Sequence, residues 1–103
     1  MTPLYHSVYF WLHPNGAASD AQKLADGCRS YLSAIPGIVQ MSVGAPAGPS
    51  GGPIDGSYAV ALLIEFESKE AAAVYVDHPD HQRFITDFRP MFSEVKIYDA
   101  VPA

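Results

Sequence analysis

Residues 72–92 read AAVYVDHPDHQRFITDFRPMF, a stretch that holds two histidines, His78 and His81, around Pro79, with Tyr75 one turn earlier. Proline fits the first position of a helix, where its missing N–H costs nothing. The spacing therefore predicts a helix opening at Pro79, capped by His78, with His81 in its first turn. Phe84, Ile85, Phe88, Met91 and Phe92 follow at helical spacing and form an apolar stripe. His81 stands three residues before Phe84 and four before Ile85, so it falls on that stripe. A helix N-terminus disfavours imidazolium, which would keep His81 neutral and able to accept a proton. The competing reading is a buried histidine satisfied by one hydrogen bond.

The segments on either side complete the pattern. Leu4–His13 (LYHSVYFWLH) reads as a strand, stopped by Pro14-Asn15-Gly16. Leu4, His6, Val8, Phe10 and Leu12 share one face, and Tyr5, Ser7, Tyr9, Trp11 and His13 the other. Ser19, with Gln22 three residues on, has the form of a capping box for a helix running to about Ile35. Ala21, Leu24, Ala25, Cys28, Leu32 and Ile35 make its stripe, so Cys28 reads as a small buried hydrophobe. Pro36-Gly37 ends that helix.

Ile38–Ala45 is a second strand, with Val39, Met41 and Val43 on one side. Pro46–Ser57 has three prolines and four glycines and reads as an irregular, mobile connection. Tyr58–Phe66 is a third strand, with Tyr58, Val60, Leu62, Ile64 and Phe66 on one face and Ala59, Ala61 and Leu63 on the other. Ser68 caps a helix over about Lys69–Asp77, and Glu94–Val101 is the last strand.

The order β-α-β-β-α-α-β is the split βαβ, ferredoxin-like arrangement: an α+β fold with a four-stranded antiparallel sheet and helices on one face. Tyr5, Tyr9, Trp11, Val39, Met41, Val43, Ala61 and Leu63 then suggest a second apolar sheet face that the helices do not reach. An apolar face of that size marks an interface, and two-fold pairing of sheets would make a dimeric α/β barrel.

Composition sets the bounds. The 103 residues make one domain over 1–103, with 49% hydrophobic and 17% charged residues. Eleven acidic against six basic residues give a net charge of −5, and no Lys/Arg cluster points to nucleic acid or an anionic membrane. No apolar run approaches a membrane span. MTPLYHS lacks a basic, leader-like start, and the single Cys28 allows no internal disulfide, so a cytoplasmic protein is expected. The glycines cluster in residues 46–57 with no phosphate-binding helix after them, so no nucleotide cofactor is expected. No metal is expected either: His78 and His81 lack a third paired ligand, and Pro79 interrupts the helix between them. Arg29, Arg83 and Arg89 read as exposed surface.

The motifs YHSVYFWL, IPGI, VALLIEFES, HPDHQRF and FRPMFSEVKIYDAV together resemble the stress-responsive dimeric α/β-barrel (Dabb) family over nearly the whole chain. The resemblance implies a homodimer packed sheet to sheet, with a pocket in each subunit between sheet and helices. The implied ligand is small and hydrophobic or polyketide-like. One member type, the olivetolic acid cyclase, is a cofactor-free polyketide cyclase. Its pattern maps the strand histidine onto His6, the helix tyrosine onto Tyr75 and the second histidine of HPxH onto His81. By that mapping His81 is the general base and Tyr75 holds the substrate; in such an enzyme His6 would hydrogen-bond the substrate or set the tautomer of His81. A further pocket histidine of the cyclase falls at Val60. The resemblance also implies, in some members, a cation held by carbonyls around Leu32–Ile38.

Overall fold

The computed structural model describes residues 2–103. Four strands, β1 (Leu4–Leu12), β2 (Ile38–Gly44), β3 (Val60–Phe66) and β4 (Phe92–Ala100), form one sheet in the order β2-β3-β1-β4. Every neighbouring pair is antiparallel. Three helices, α1 (Asp20–Leu32), α2 (Lys69–Asp77) and α3 (Pro79–Phe88), lie on one face, giving the expected ferredoxin-like α+β fold.

Alternation decides which strand residues meet the helices. Leu4, Val8 and Phe10 of β1 and Val60, Leu62, Ile64 and Phe66 of β3 turn inward and are buried. The helices answer with Leu24, Cys28 and Leu32 from α1, Tyr75 from α2 and Phe84 from α3. Ile35, just past α1, joins the same core. Cys28 is fully enclosed there, and burial pushes its thiol up to about 12. It packs as a small hydrophobe, as its place on the helical stripe implied.

Several local readings change. Ser19 precedes α1 in a helical conformation and its side chain accepts no cap hydrogen bond. Asp20 Oδ2 accepts from Ala17 N instead, and Gln22 donates along the helix to Asp26, so the capping box does not form. The helix also stops at Leu32 rather than Ile35. Pro36 disfavours helical backbone in the residue before it, and Ile35 N turns back to Leu32 O at 3.1 Å. Gly37, at φ 93°, then makes the turn into β2.

The second sheet face is narrower than alternation suggested. A register shift between Ile38 and Gln40 places Met41 opposite Ile64 and Val43 opposite Leu62, on the helix side. Both pack against the core, while Val39 stands exposed at the shift. The outer side of β2 is Gln40 and Ser42. Tyr58 moves the other way: it lies before β3 and packs on the outer rings of Tyr9 and Trp11.

The stripe of α3 closes at Phe88. Arg89–Met91 form a single 3₁₀ turn, and Phe92 opens β4. Residues 46–57 are more structured than an irregular linker. Gly51 and Ile54 exchange backbone hydrogen bonds, Gly56 N donates to Ser50 Oγ, and Trp11 Nε1 donates to Ser57 Oγ at 2.9 Å.

Gly27 marks the tightest helix contact. A Cβ there would lie 2.2 Å from Cζ of Phe88. Phe88 cannot easily withdraw, because its ring stacks on Phe84 and meets Tyr31 edge-on. Gly→Ala in a helix interior gains about 1 kcal/mol, whereas overpacking costs about 1–3 kcal/mol. Gly27→Ala should therefore destabilise the fold despite alanine's better propensity. A urea midpoint at or above wild type would show that Phe88 yields freely.

Candidate functional site

The helix break at His78-Pro79 builds the site. His78 is at once the last cap of α2 and the first cap of α3, with extended backbone at ψ 138°. Its Nδ1 accepts from Asp80 N at 3.0 Å, which ties up one of the orphan donors of α3. In an unbroken helix that amide would have bonded the carbonyl of Val76. The break instead frees Val76 O, which accepts from His81 Nδ1 at 2.9 Å and from Gln82 Nε2 at 2.8 Å.

A carbonyl oxygen only accepts, so His81 carries its proton on Nδ1 and keeps the Nε2 lone pair open. Burial lowers the pKa of His81 from its ordinary value; the Val76 hydrogen bond opposes this and the nearby His6 adds to it. The neutral ring is the favoured form.

His6 is held by a different element. Its β1 position lies directly opposite Asp99 of β4, and Nδ1 is 2.5 Å from Asp99 Oδ1. The carboxylate accepts, so the His6 proton also sits on Nδ1. Tyr75 stands between the two imidazoles. Its ring centroid lies 5.9 Å from His6 and 4.6 Å from His81, and Phe66 backs it at 4.9 Å. The Tyr75 hydroxyl has no hydrogen-bond partner among the described residues, yet none of the fully enclosed side-chain polar atoms lacks one. It therefore opens onto free space. Burial above all, and nearby Cys28 next, push its pKa well above the ordinary value, so it is a hydroxyl that donates.

The free space is a cavity of about 250 Å³ between sheet and helices. His6, Tyr75 and His81 share its wall with Val8, Phe10, Leu62, Phe84 and Ile85. The far side is Phe92, Val95 and Ile97, where the helices leave β4 uncovered, and Arg89 completes the wall. The three residues singled out from sequence thus meet in one layer. Among the described residues, neither Nε2 has a protein partner.

Other expectations fall differently. His6 does not set the tautomer of His81, because Val76 O does. Val60, where the cyclase pattern has a histidine, is buried apolar core. Around Leu32–Ile38, the Leu32 carbonyl accepts from Ile35 N and that of Gly37 from Glu67 N, which leaves each oxygen a second lone pair. Arg29 pairs with Asp26, and Arg83 with Asp80, as exposed side chains. Arg89 is exposed too but borders the cavity, which the surface reading missed. Asp99 was also missed. Its signal was an acidic residue in register with Val95 and Ile97 on the inward face of β4.

A second hollow, about 500 Å³, lies on the outer sheet face. Tyr9, Trp11, Tyr58 and Tyr98 line it with Ser7, Asp55 and Lys96. Lys96 stands 5.7 Å over the Trp11 ring.

Comparison with known proteins agrees with this architecture. A Dabb-family protein of ferredoxin-like fold from Mesorhizobium loti superposes with a TM-score of 0.82 at 27% identity, covering 100% of this chain and 99% of that one. A dimeric ferredoxin-like protein of unknown function from Thermobifida fusca gives 0.81 at 19% identity, over 98% and 92%. The hydroxynitrile lyase of Passiflora edulis gives 0.82 at 13% identity, over 98% and 94%, a likeness of fold. No curated protein matches the chain. The family model of the stress-responsive A/B barrel domain matches residues 4–102, and the chain belongs to that family, Dabb.

Proposed function

We propose that this chain acts as a homodimer in which each protomer offers a pocket for a small, largely apolar molecule, polyketide-like ligands included, between sheet and helices. The observation that carries this reading is the cavity itself: an apolar wall interrupted by His6, Tyr75 and His81, each with a polar atom unused by the protein. Few convergent polar groups in an apolar hollow are the usual make-up of a ligand site. The proposal needs neither metal nor cofactor, nor nucleic acid. No described helix is long and apolar enough to cross a membrane. A cytoplasmic location is a separate part of the proposal.

The dimer rests on the outer sheet face. Tyr5, Leu63 and Tyr98 are exposed there beside the Tyr9–Trp11–Tyr58 cluster. A face this aromatic, on the side of the sheet without helices, is suited to a second copy. The Thermobifida fusca relative in fold is itself dimeric.

A second reading, cofactor-free acid–base catalysis, is favoured by one specific observation: the Val76 carbonyl holds the His81 proton on Nδ1. A neutral imidazole with Nε2 free is a general base. It could take a proton from a carbon next to a carbonyl. Tyr75, a strong holder of its own proton, would donate to the developing enolate oxygen, and His6 would orient the substrate. The Passiflora edulis lyase demonstrates that this fold can carry an enzyme; at 13% identity no reaction transfers.

Three outcomes are expected. His81→Ala should abolish ligand binding, and turnover if the pocket is catalytic, while the fold loses only about 1 kcal/mol, because Gln82 still satisfies Val76 O. Binding by the variant at wild-type affinity would remove His81 from the site; melting temperature measured alongside separates this from unfolding.

Stability should also depend on pH through His81. Its folded pKa is lowered below the unfolded value near 6.5, so below that value the unfolded chain binds more protons. The contribution is complete above pH 6.5 and is lost as pH falls towards and through the folded pKa. His81→Ala should flatten that part of the curve. An unchanged slope would mean the ring is not held neutral.

Sedimentation at micromolar concentration should give a dimer, with Trp11 shielded from quencher. A monomer with freely quenched Trp11 would refute the assembly.

A further inference from the structure

We propose that the ligand of this cavity is an anion, a compact and largely apolar molecule with one carboxylate or similar acidic group, and that Arg89 is the residue that recognises the charge. The inference rests on the pocket reading above and adds the ligand's chemical class.

Three observations carry it. Arg89 forms part of the wall of the same cavity as His6, Tyr75 and His81. Arg29 and Arg83 are each within ion-pair distance of a carboxylate, whereas among the described residues Arg89 has none. Asp99, the carboxylate paired with His6, does not line the cavity. The residues lining the cavity therefore include one arginine without a carboxylate partner among the described residues, and no acidic residue. In a chain of net charge −5, a local cation is what makes an acidic ligand welcome. A guanidinium binds a carboxylate through two parallel N–H donors, which fixes orientation as well as affinity. The acid would lie at the Arg89 end and the apolar body against Phe84, Ile85 and Val95. A volume of about 250 Å³ limits that body to one or two rings or a short chain.

A competing role exists for Arg89. It follows the last turn of α3, where any cation complements the helix dipole. That role affects stability but does not discriminate between ligands, so the test reads discrimination.

The probes are 2-naphthoate and its neutral isostere 2-naphthamide, titrated by calorimetry at low salt, with the imidazole resonances of His6 and His81 followed by NMR. The acid should bind about tenfold tighter than the amide or better, and both should shift the two histidines. Arg89→Gln should erase the preference, Arg89→Lys should restore part of it, and Arg83→Gln should leave it intact. Equal affinity for acid and amide, with the histidines shifting, would overturn the inference and leave the pocket reading standing. A preference that survives Arg89→Gln would overturn it as well, by assigning the charge to another group. If neither probe moves His6 or His81, the pocket reading fails and the inference falls with it. Should Arg89→Gln lower the melting temperature, the Arg89→Lys comparison still decides the matter.

Discussion

The site depends on one interruption, the extended backbone of His78 ahead of Pro79. In a continuous helix, Tyr75 and His81 would be six residues apart and roughly 120° around the axis from one another. They could not face one cavity. Breaking the helix redirects α3, so that the two rings approach to 4.6 Å. The same interruption takes Asp80 N away from Val76 O and gives it to His78 Nδ1. The carbonyl thus freed fixes the tautomer of His81. The two histidines of the motif therefore divide the work. His78 spends its lone pair on the backbone and holds the break, while His81 spends its proton on the backbone and keeps its lone pair.

A second constraint is coverage. The helices bury the inner face of β3 and β1 with Phe84, Leu24 and Leu32, but β4 lies at the sheet edge, beyond their reach. Val95 and Ile97 turn inward there and are still exposed. The cavity is the gap between that bare edge strand and α3. Its apolar wall and its access have the same origin. A partner that covers only the outer face would leave this opening as it is.

Much of this was legible in the chain. The order of elements, the Ser68 and His78 caps and the inward direction of His6, Tyr75 and His81 follow from periodicity and from the family resemblance. Pairing was not legible. Asp99 meets His6 because β1 and β4 align in one particular register, and sequence spacing carries no information about a contact 93 residues away. The shift between Ile38 and Gln40 was equally invisible, and it turned Met41 and Val43 from the outer face to the core. Ser19 failed as a cap for a local reason: its backbone is already helical, while Asp20 is placed to bond Ala17 N. Arg89 was read as surface because a charged residue after a helix usually is. Only the uncovered edge of β4 makes that surface the rim of a cavity.

The outer face follows from the loop that sequence alone left shapeless. Trp11 donates to Ser57 Oγ, and Ser57 donates in turn to Asp55 at 2.6 Å. Those hydrogen bonds, with the Ser57 backbone amide, hold the Asp55 carboxyl below its usual range, so the chain ends on a charge. The loop is thereby fastened to the aromatic cluster and raises one wall of the outer hollow. Removing the outer strand position of Met41 and Val43 from this face makes it more polar along β2, with Gln40 and Ser42, and leaves its aromatic weight along β1 and β4. A second copy approaching this side meets a concave, aromatic surface bounded by a hydrogen-bonded rim. Burial of Tyr9 and Trp11 would supply the driving force, and the Asp55 and Lys96 charges would set the register. The two sides of one sheet are thus specialised by coverage. Helices close most of the inner side and leave a pocket at its edge, while the outer side keeps the rings that assembly would bury.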